Sequence, residues 1–219
     1  MTQIPFSIVG FDLDGTLLDT SGDLGAAGNN ALHLIGRPPV AGEAVYGLIG
    51  GGSRLMLRRA LALTGGDDGI DSDGLYAELL AYYEANIAVH TRHYPGGEAM
   101  LDALDAAGAR IAVVTNKPQH LTDRLLDELG LTRRFACVIG AGTWPLKPAP
   151  DALHAMVEHL GGGRAAFVGD TTFDTGAARA ARLPSVAVSF GFCDLPPAQL
   201  GADRVIDHYD QLLPALASL

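Results

Sequence analysis

The chain is short of positive charge: 15 lysines and arginines stand against 25 aspartates and glutamates among 219 residues, a formal net charge of -10. That balance repels phosphate backbones and anionic lipid headgroups, so neither nucleic acid nor a membrane surface is an expected partner. Cysteine is scarce as well. Cys137 and Cys193 can close one disulfide at most and cannot assemble a four-thiolate zinc site, so two free thiols are expected. The amino terminus has no basic segment and no apolar run near the ~18 residues of a membrane span, which predicts a cytoplasmic protein without leader or anchor. Nucleotide-binding signatures are missing too: Gly50 to Gly52 lacks the Gly-Lys-Ser/Thr of a phosphate loop, and no Gly-x-Gly-x-x-Gly follows a strand candidate. The seven histidines show no metal-ligand spacing.

What is present is apolar material, 48% of the residues, enough for a sizeable core. At roughly 150 residues per domain, the length predicts one full domain with a smaller appendage. Short β-branched runs alternate with helix-period segments, the pattern of a parallel sheet covered by helices on both faces. Strands are predicted at Ile8 to Phe11, Arg110 to Thr115, Ala136 to Ile139, Ala165 to Gly169, Ser185 to Val188 and Arg204 to Ile206. Leu153, Met156, Val157 and Leu160 take the spacing of an amphipathic helix, and Leu121, Leu125 and Leu129 recur every four residues.

The alternation breaks between Phe11 and Arg110, a stretch too long for a plain crossover and without a convincing strand. Tyr76, Leu80, Tyr83 and Ile87 form one helical stripe there, and Leu55, Leu57 and Leu61 suggest another after the glycine run. The expected architecture is a doubly wound α/β parallel sheet, residues 1–18 and 94–219, with residues 19–93 inserted as a helical cap. Linkers are predicted near Leu18 to Thr20 and Thr91 to Gly97. The acidic stretch Gly65 to Gly74 lacks the spacing and final Glu of an EF-hand and reads as a solvated loop.

Asp12 to Thr16, Val113 to Asn116 and Val168 to Asp170 leave the carboxyl ends of predicted strands, where open parallel sheets place their ligand crevice. Leu146-Lys147-Pro148 lies in the loop before the Leu153 helix. Gathering Asp12, Asp14, Asp170 and Asp174 without a cation would be costly, so a hard metal ion is implied. All-oxygen ligands, few of them from protein, fit Mg²⁺. Thr115 offers a hydroxyl and Lys147 a compact charge, the groups that hold a transferring phosphoryl group. One carboxylate can attack phosphorus, and a second, two residues on, can protonate the leaving alkoxide.

Asp12-Leu-Asp-Gly-Thr-Leu-Leu-Asp-Thr20, the Thr115 segment, Lys147-Pro148 and Gly169-Asp170 with Asp174 resemble, in order, the four motifs of the haloacid dehalogenase superfamily. Val114-Thr115-Asn116-Lys117-Pro118, Lys147-Pro-Ala-Pro-Asp151, Ile49-Gly-Gly-Gly52 and the ending Asp210 to Leu216 are similar to its phosphoglycolate phosphatase branch. The resemblance covers essentially the whole chain and implies a phosphatase with a Rossmann-like core, acting on a small phosphorylated metabolite as a monomer or homodimer.

By that resemblance Asp12 is the nucleophile and Asp14 the general acid/base, while Thr115, Asn116 and Lys147 bind phosphate. Asp12, the Asp14 carbonyl and Asp170 would hold Mg²⁺, with Asp174 supporting it from behind. In the cap, Gly51 and Gly52 let backbone come close to substrate. Arg54 either offers a fork to the substrate's carboxylate or is a solvated arginine. Three positions depart from the branch: Gly51 where Asn is usual, Arg54 where an acidic residue is common, and Arg182 where Gly often follows the last helix of the motifs. A sugar-phosphate mutase resembling β-phosphoglucomutase is the close alternative, suggested by Ser53-Arg54. A receiver-like signalling domain is the more distant one, disfavoured by Asp-x-Asp-Gly-Thr and the large insert.

Overall fold

The computed structural model describes residues 4–219. Strand β1 (Ile8–Phe11) is buried along its whole length, as a strand covered on both faces must be. It lies between β4 (Arg110–Pro118) and β6 (Ala165–Gly169), and the six-stranded parallel sheet continues through β5 (Cys137–Ala141) on one side and β7 (Ser185–Val188) and β8 (Arg204–Ile206) on the other, in the order β5-β4-β1-β6-β7-β8. Side chains alternate across it. Val9, Phe11, Ile111 and Val113 face α4 (Gly97–Ala106), α5 (Gln119–Glu128) and α8 (Leu212–Ala217). Ile8, Ala112, Val114 and Phe167 face α6 (Asp151–His159) and α7 (Thr172–Ala180). Because the chain crosses to opposite sides after β1, the carboxyl end of β1 opens into a switch-point crevice.

Four of the six strands occupy the predicted residues, whereas β4 runs on past Thr115 to Pro118. Its pairing with β5 shifts register between Val114 and Pro118, which takes Thr115, Asn116 and Lys117 out of the regular ladder at the crevice.

The long break also contains strands that periodicity misses. β2 (Leu18–Asp19) and β3 (Arg92–His93) pair antiparallel, so the chain leaves and returns through one narrow neck. Two residues are too few to show a period of two. Between them lie α1 (Ser21–Leu34), α2 (Ser53–Leu63) and α3 (Ser72–Ala85). The buried stripe of α3 is Leu75, Leu79 and Tyr83; Tyr76 and Leu80, one position further round, are half-buried, and Ile87 lies beyond the helix. Asp23 ties α1 to the return path, its buried carboxylate accepting from the His90 and Thr91 amides and the Thr91 hydroxyl at 2.7–3.1 Å. Asp71 caps α3 by accepting from Gly74 N, so the acidic loop ends in a helix start.

Candidate active site

Asp12 follows β1 directly, and its amide still bonds Val168 O of β6 at 2.9 Å, so the sheet fixes its position. Oδ1 accepts from Leu13 N at 2.7 Å and from Lys147 Nζ at 3.0 Å, and Oδ2 carries no hydrogen bond from the described residues. Lys147 is fully committed: its Nζ also donates to Asp174 Oδ1 at 2.6 Å and Val114 O at 2.8 Å, which uses all three of its N–H bonds. Burial alone would lower its pKa, but Asp12 and Asp174 outweigh burial and keep it above the ordinary lysine value.

Asp174 is equally occupied. Its Oδ2 accepts from Thr171 N and Oγ1, closing a capping box at the start of α7. Asp170 accepts from Thr16 Oγ1 at 2.9 Å and Phe192 N at 2.7 Å. Gly15, at φ +83°, lies so close that a Cβ would collide with the Asp170 carboxylate and Phe192, so the motif's glycine is required by space as well as by backbone.

Oxygens of Asp12, Asp170 and Asp174 lie within 4.8 Å of one another. The Lys147 ammonium pairs with Asp12 and Asp174 but not with Asp170, leaving an excess of negative charge inside the protein. Burial pushes the Asp12 carboxyl up to about 7, against Lys147 and with Asp174 and Asp14 adding repulsion. Asp170 is also raised well above the carboxylate range by burial and by Asp174 and Asp12. An all-oxygen donor set with uncompensated charge fits a hard divalent cation.

Asp14 has a separate cation. Lys117 Nζ approaches its two carboxylate oxygens at 3.0 and 3.2 Å and bonds the Tyr83 hydroxyl of α3 at 2.7 Å, with its side chain only 3% exposed. Burial opposes the charge on Lys117, but Asp14 and Tyr83 hold its pKa above the usual lysine value; burial pushes Tyr83 up to about 12. The sequence reading gave Lys117 and Tyr83 no role. The available signal was a lysine in an otherwise buried strand, where an ammonium needs a partner.

Thr115 lines the cleft, its Oγ1 accepting from Lys117 N at 3.2 Å. The carboxamide of Asn116 is occupied, which leaves its backbone amide as the donor it can offer to phosphate. Both ends are bound to the backbone of Lys147, at 2.8 and 3.1 Å, so the side chain clamps the lysine loop.

The cleft lies between these strand ends and the insert. Gly50, Gly52 and Ser53 line it, and the glycines permit the approach: a Cβ on Gly50 would meet Thr171, and one on Gly51 would meet Leu55 and Phe173. Gly51 therefore packs beside the cleft instead of lining it. Arg54 is not at the site. The first turn of α2 points it along the outer surface, where its side chain, 62% exposed, pairs with Asp73 at 2.7 Å and stacks on Tyr76. Cys137 and Cys193 are free, half-buried and outside this cleft.

Residues 6–182 match the family model of the haloacid dehalogenase-like hydrolases. The chain belongs to that family. It is 41% identical over 222 residues to the phosphoglycolate phosphatase of Agrobacterium fabrum, covering 99% of this chain and 95% of that one. Phosphoglycolate phosphatase 1 of Pseudomonas aeruginosa is 40% identical over 219 residues, covering 97% and 80%. A solved structure described as a predicted phosphoglycolate phosphatase from Haemophilus somnus superposes with a TM-score of 0.89 at 29% identity, covering 96% and 97%. The protein is thus a phosphatase of the haloacid dehalogenase-like type. No described helix is long and apolar enough to cross a membrane.

Proposed function

We propose that this phosphatase is a Mg²⁺-dependent phosphomonoesterase acting on small phosphorylated metabolites, 2-phosphoglycolate foremost, through an aspartyl-phosphate on Asp12. The observation that carries the reading is the pair of differently partnered carboxylates: Asp12 held by Lys147, and Asp14 two residues on held by Lys117, on one cleft. Likeness to phosphoglycolate phosphatases at about 40% identity over nearly the whole chain supports the substrate.

In this reading Asp12 attacks phosphorus and the ester P–O bond breaks. Asp14 gives its proton to the departing alkoxide, then takes one from the water that attacks the aspartyl-phosphate and releases phosphate. Thr115 donates to a phosphoryl oxygen. Lys147 has no spare donor in the resting site, so it acts first by orienting Asp12; its bond passes to the phosphoryl group as Asp12 loses its charge. Asp12 and Asp170, with the Asp14 carbonyl, would hold Mg²⁺, and Asp174 keeps Lys147 and the Asp170 loop in place. The metal supplies positive charge to the phosphoryl oxygens and relieves carboxylate repulsion. Residues 19–93 act as the cap that excludes water from the cleft.

Phosphate release from a panel of phosphorylated metabolites tests the reading. Release from 2-phosphoglycolate should vanish on chelation and return with Mg²⁺, while Ca²⁺ supports it poorly because its longer bonds misplace the nucleophile. Full activity in the chelated enzyme would overturn the metal's role. Isomerisation of sugar phosphates without phosphate release would replace the esterase by the mutase.

A further inference from the structure

Lys117 is the one lysine or arginine among the described residues that line the cleft. An ammonium has three N–H donors. Lys117 Nζ donates to both Asp14 carboxylate oxygens and the Tyr83 hydroxyl, partners that line the same cleft, whereas Lys147 lies outside the lining and is bound to Val114 O, Asp174 and Asp12. From this placement, and resting on the phosphomonoesterase reading, we infer that Lys117 binds the substrate's carboxylate, exchanging one of its Asp14 bonds for it, and so selects short phosphorylated acids.

The rest of the wall supports that assignment. Leu24, Ile49, Met56, Leu79, Leu80 and Leu121 make most of the cleft apolar. A carboxylate entering such a space needs a buried cation, and Lys117 is already held there by Asp14 and Tyr83. A sugar phosphate would bring several hydroxyls against leucines, where unpaired polar groups are costly. Distance sets the size of the acid. Lys117 Nζ is 3.0 Å from the Asp14 carboxylate, the group assigned to the leaving oxygen. A carboxylate on Lys117 therefore lies beside that oxygen, which suits an acid whose ester oxygen and carboxylate are separated by one carbon. Arg54 is paired with Asp73 outside the cleft, so it does not compete for the role.

The test compares kcat/KM for 2-phosphoglycolate with that for its neutral carboxamide, phosphoglycolamide, in wild type and Lys117→Gln. The wild type should prefer the acid by about tenfold or more, the lower range of a charged hydrogen bond, and Lys117→Gln should bring the preference close to one whatever happens to the absolute rates. Equal losses on both compounds, with the preference kept, would mean that Lys117 only steadies Asp14 and would overturn the inference. So would a wild type without preference. If Lys117→Gln fails to fold, Lys117→Arg keeps a charge beside Asp14 but moves it, and the preference should fall by about threefold or more; an unchanged preference overturns the inference. A wild type that releases no phosphate from these compounds or from p-nitrophenyl phosphate refutes the esterase reading instead.

Discussion

The floor of the cleft is Asp12, which lines it, together with Lys147, Asp174, Asp170, Thr171 and Thr16 behind it, in one connected set of charged hydrogen bonds rooted in strand ends. In the roof, built by the helices between β2 and β3, leucines and methionine face the cleft, with Ser53 and Tyr83 the only side-chain hydroxyls there among the described residues. Floor residues are oriented by partners from several strands, so their geometry tolerates little change. Roof residues touch the cleft through apolar packing and through glycines that let it descend on Thr171 and Phe173. In the proposed mechanism the floor therefore carries the reaction and the roof limits what can undergo it.

Lys147→Ala should break the floor most severely. It leaves Asp12 and Asp174 as buried carboxylates without their cation, which costs ~3–5 kcal/mol of stability, and kcat/KM should fall by ~10²-fold or more. Urea melts and steady-state kinetics check both; a stable, active variant would mean that the set does not act as a unit.

The roof should fail differently. Gly50→Val places a side chain against Thr171 at φ +104°, so it should lower kcat/KM by roughly tenfold through misplacement and destabilise by ~1–3 kcal/mol from backbone strain. Loss of kcat/KM with phosphate affinity of the floor unchanged would sharpen the division.

Away from both regions, Arg182 ends α7 with φ +58°, the one described non-glycine residue in the left-handed region. The Leu183 amide bonds Ala178 O and the Arg182 amide bonds Arg179 O, the pattern that favours glycine at this position. Arg182→Gly should raise stability by about 0.5–1 kcal/mol and leave kinetics unchanged. Arg54→Ala should alter kcat/KM for phosphoglycolate by less than about twofold, since an exposed pair contributes little; a large loss would return Arg54 to the substrate.

Floor and roof also differ in how much of them was legible. Asp12, Asp170 and Thr115 end apolar runs that sheets bury, so a strand reading carries them to one edge, and Lys147 and Asp174 follow in their loops. Arg182 was flagged by the absence of the expected glycine. In the roof, helical period reports burial but not which neighbour a first-turn residue meets. Arg54 follows the glycines in sequence, yet the helix turns it toward Asp73, while Ser53 faces the cleft. The Lys117–Asp14 pair joins two strand ends 103 positions apart and its Tyr83 partner lies on helix α3, so no local spacing encodes the link. The Asp23 clamp, 67 and 68 positions from its partners, was hidden for the same reason.

The most direct test of the account is to trap the covalent intermediate. Enzyme turning over 2-phosphoglycolate with Mg²⁺ is quenched with borohydride, which reduces an acyl phosphate to the alcohol, and the digested chain is analysed by mass spectrometry. The account predicts homoserine at position 12, formed only in the presence of substrate and absent from Asp12→Asn. Steady turnover with residue 12 unmodified, or with the modification at Asp14, would contradict it.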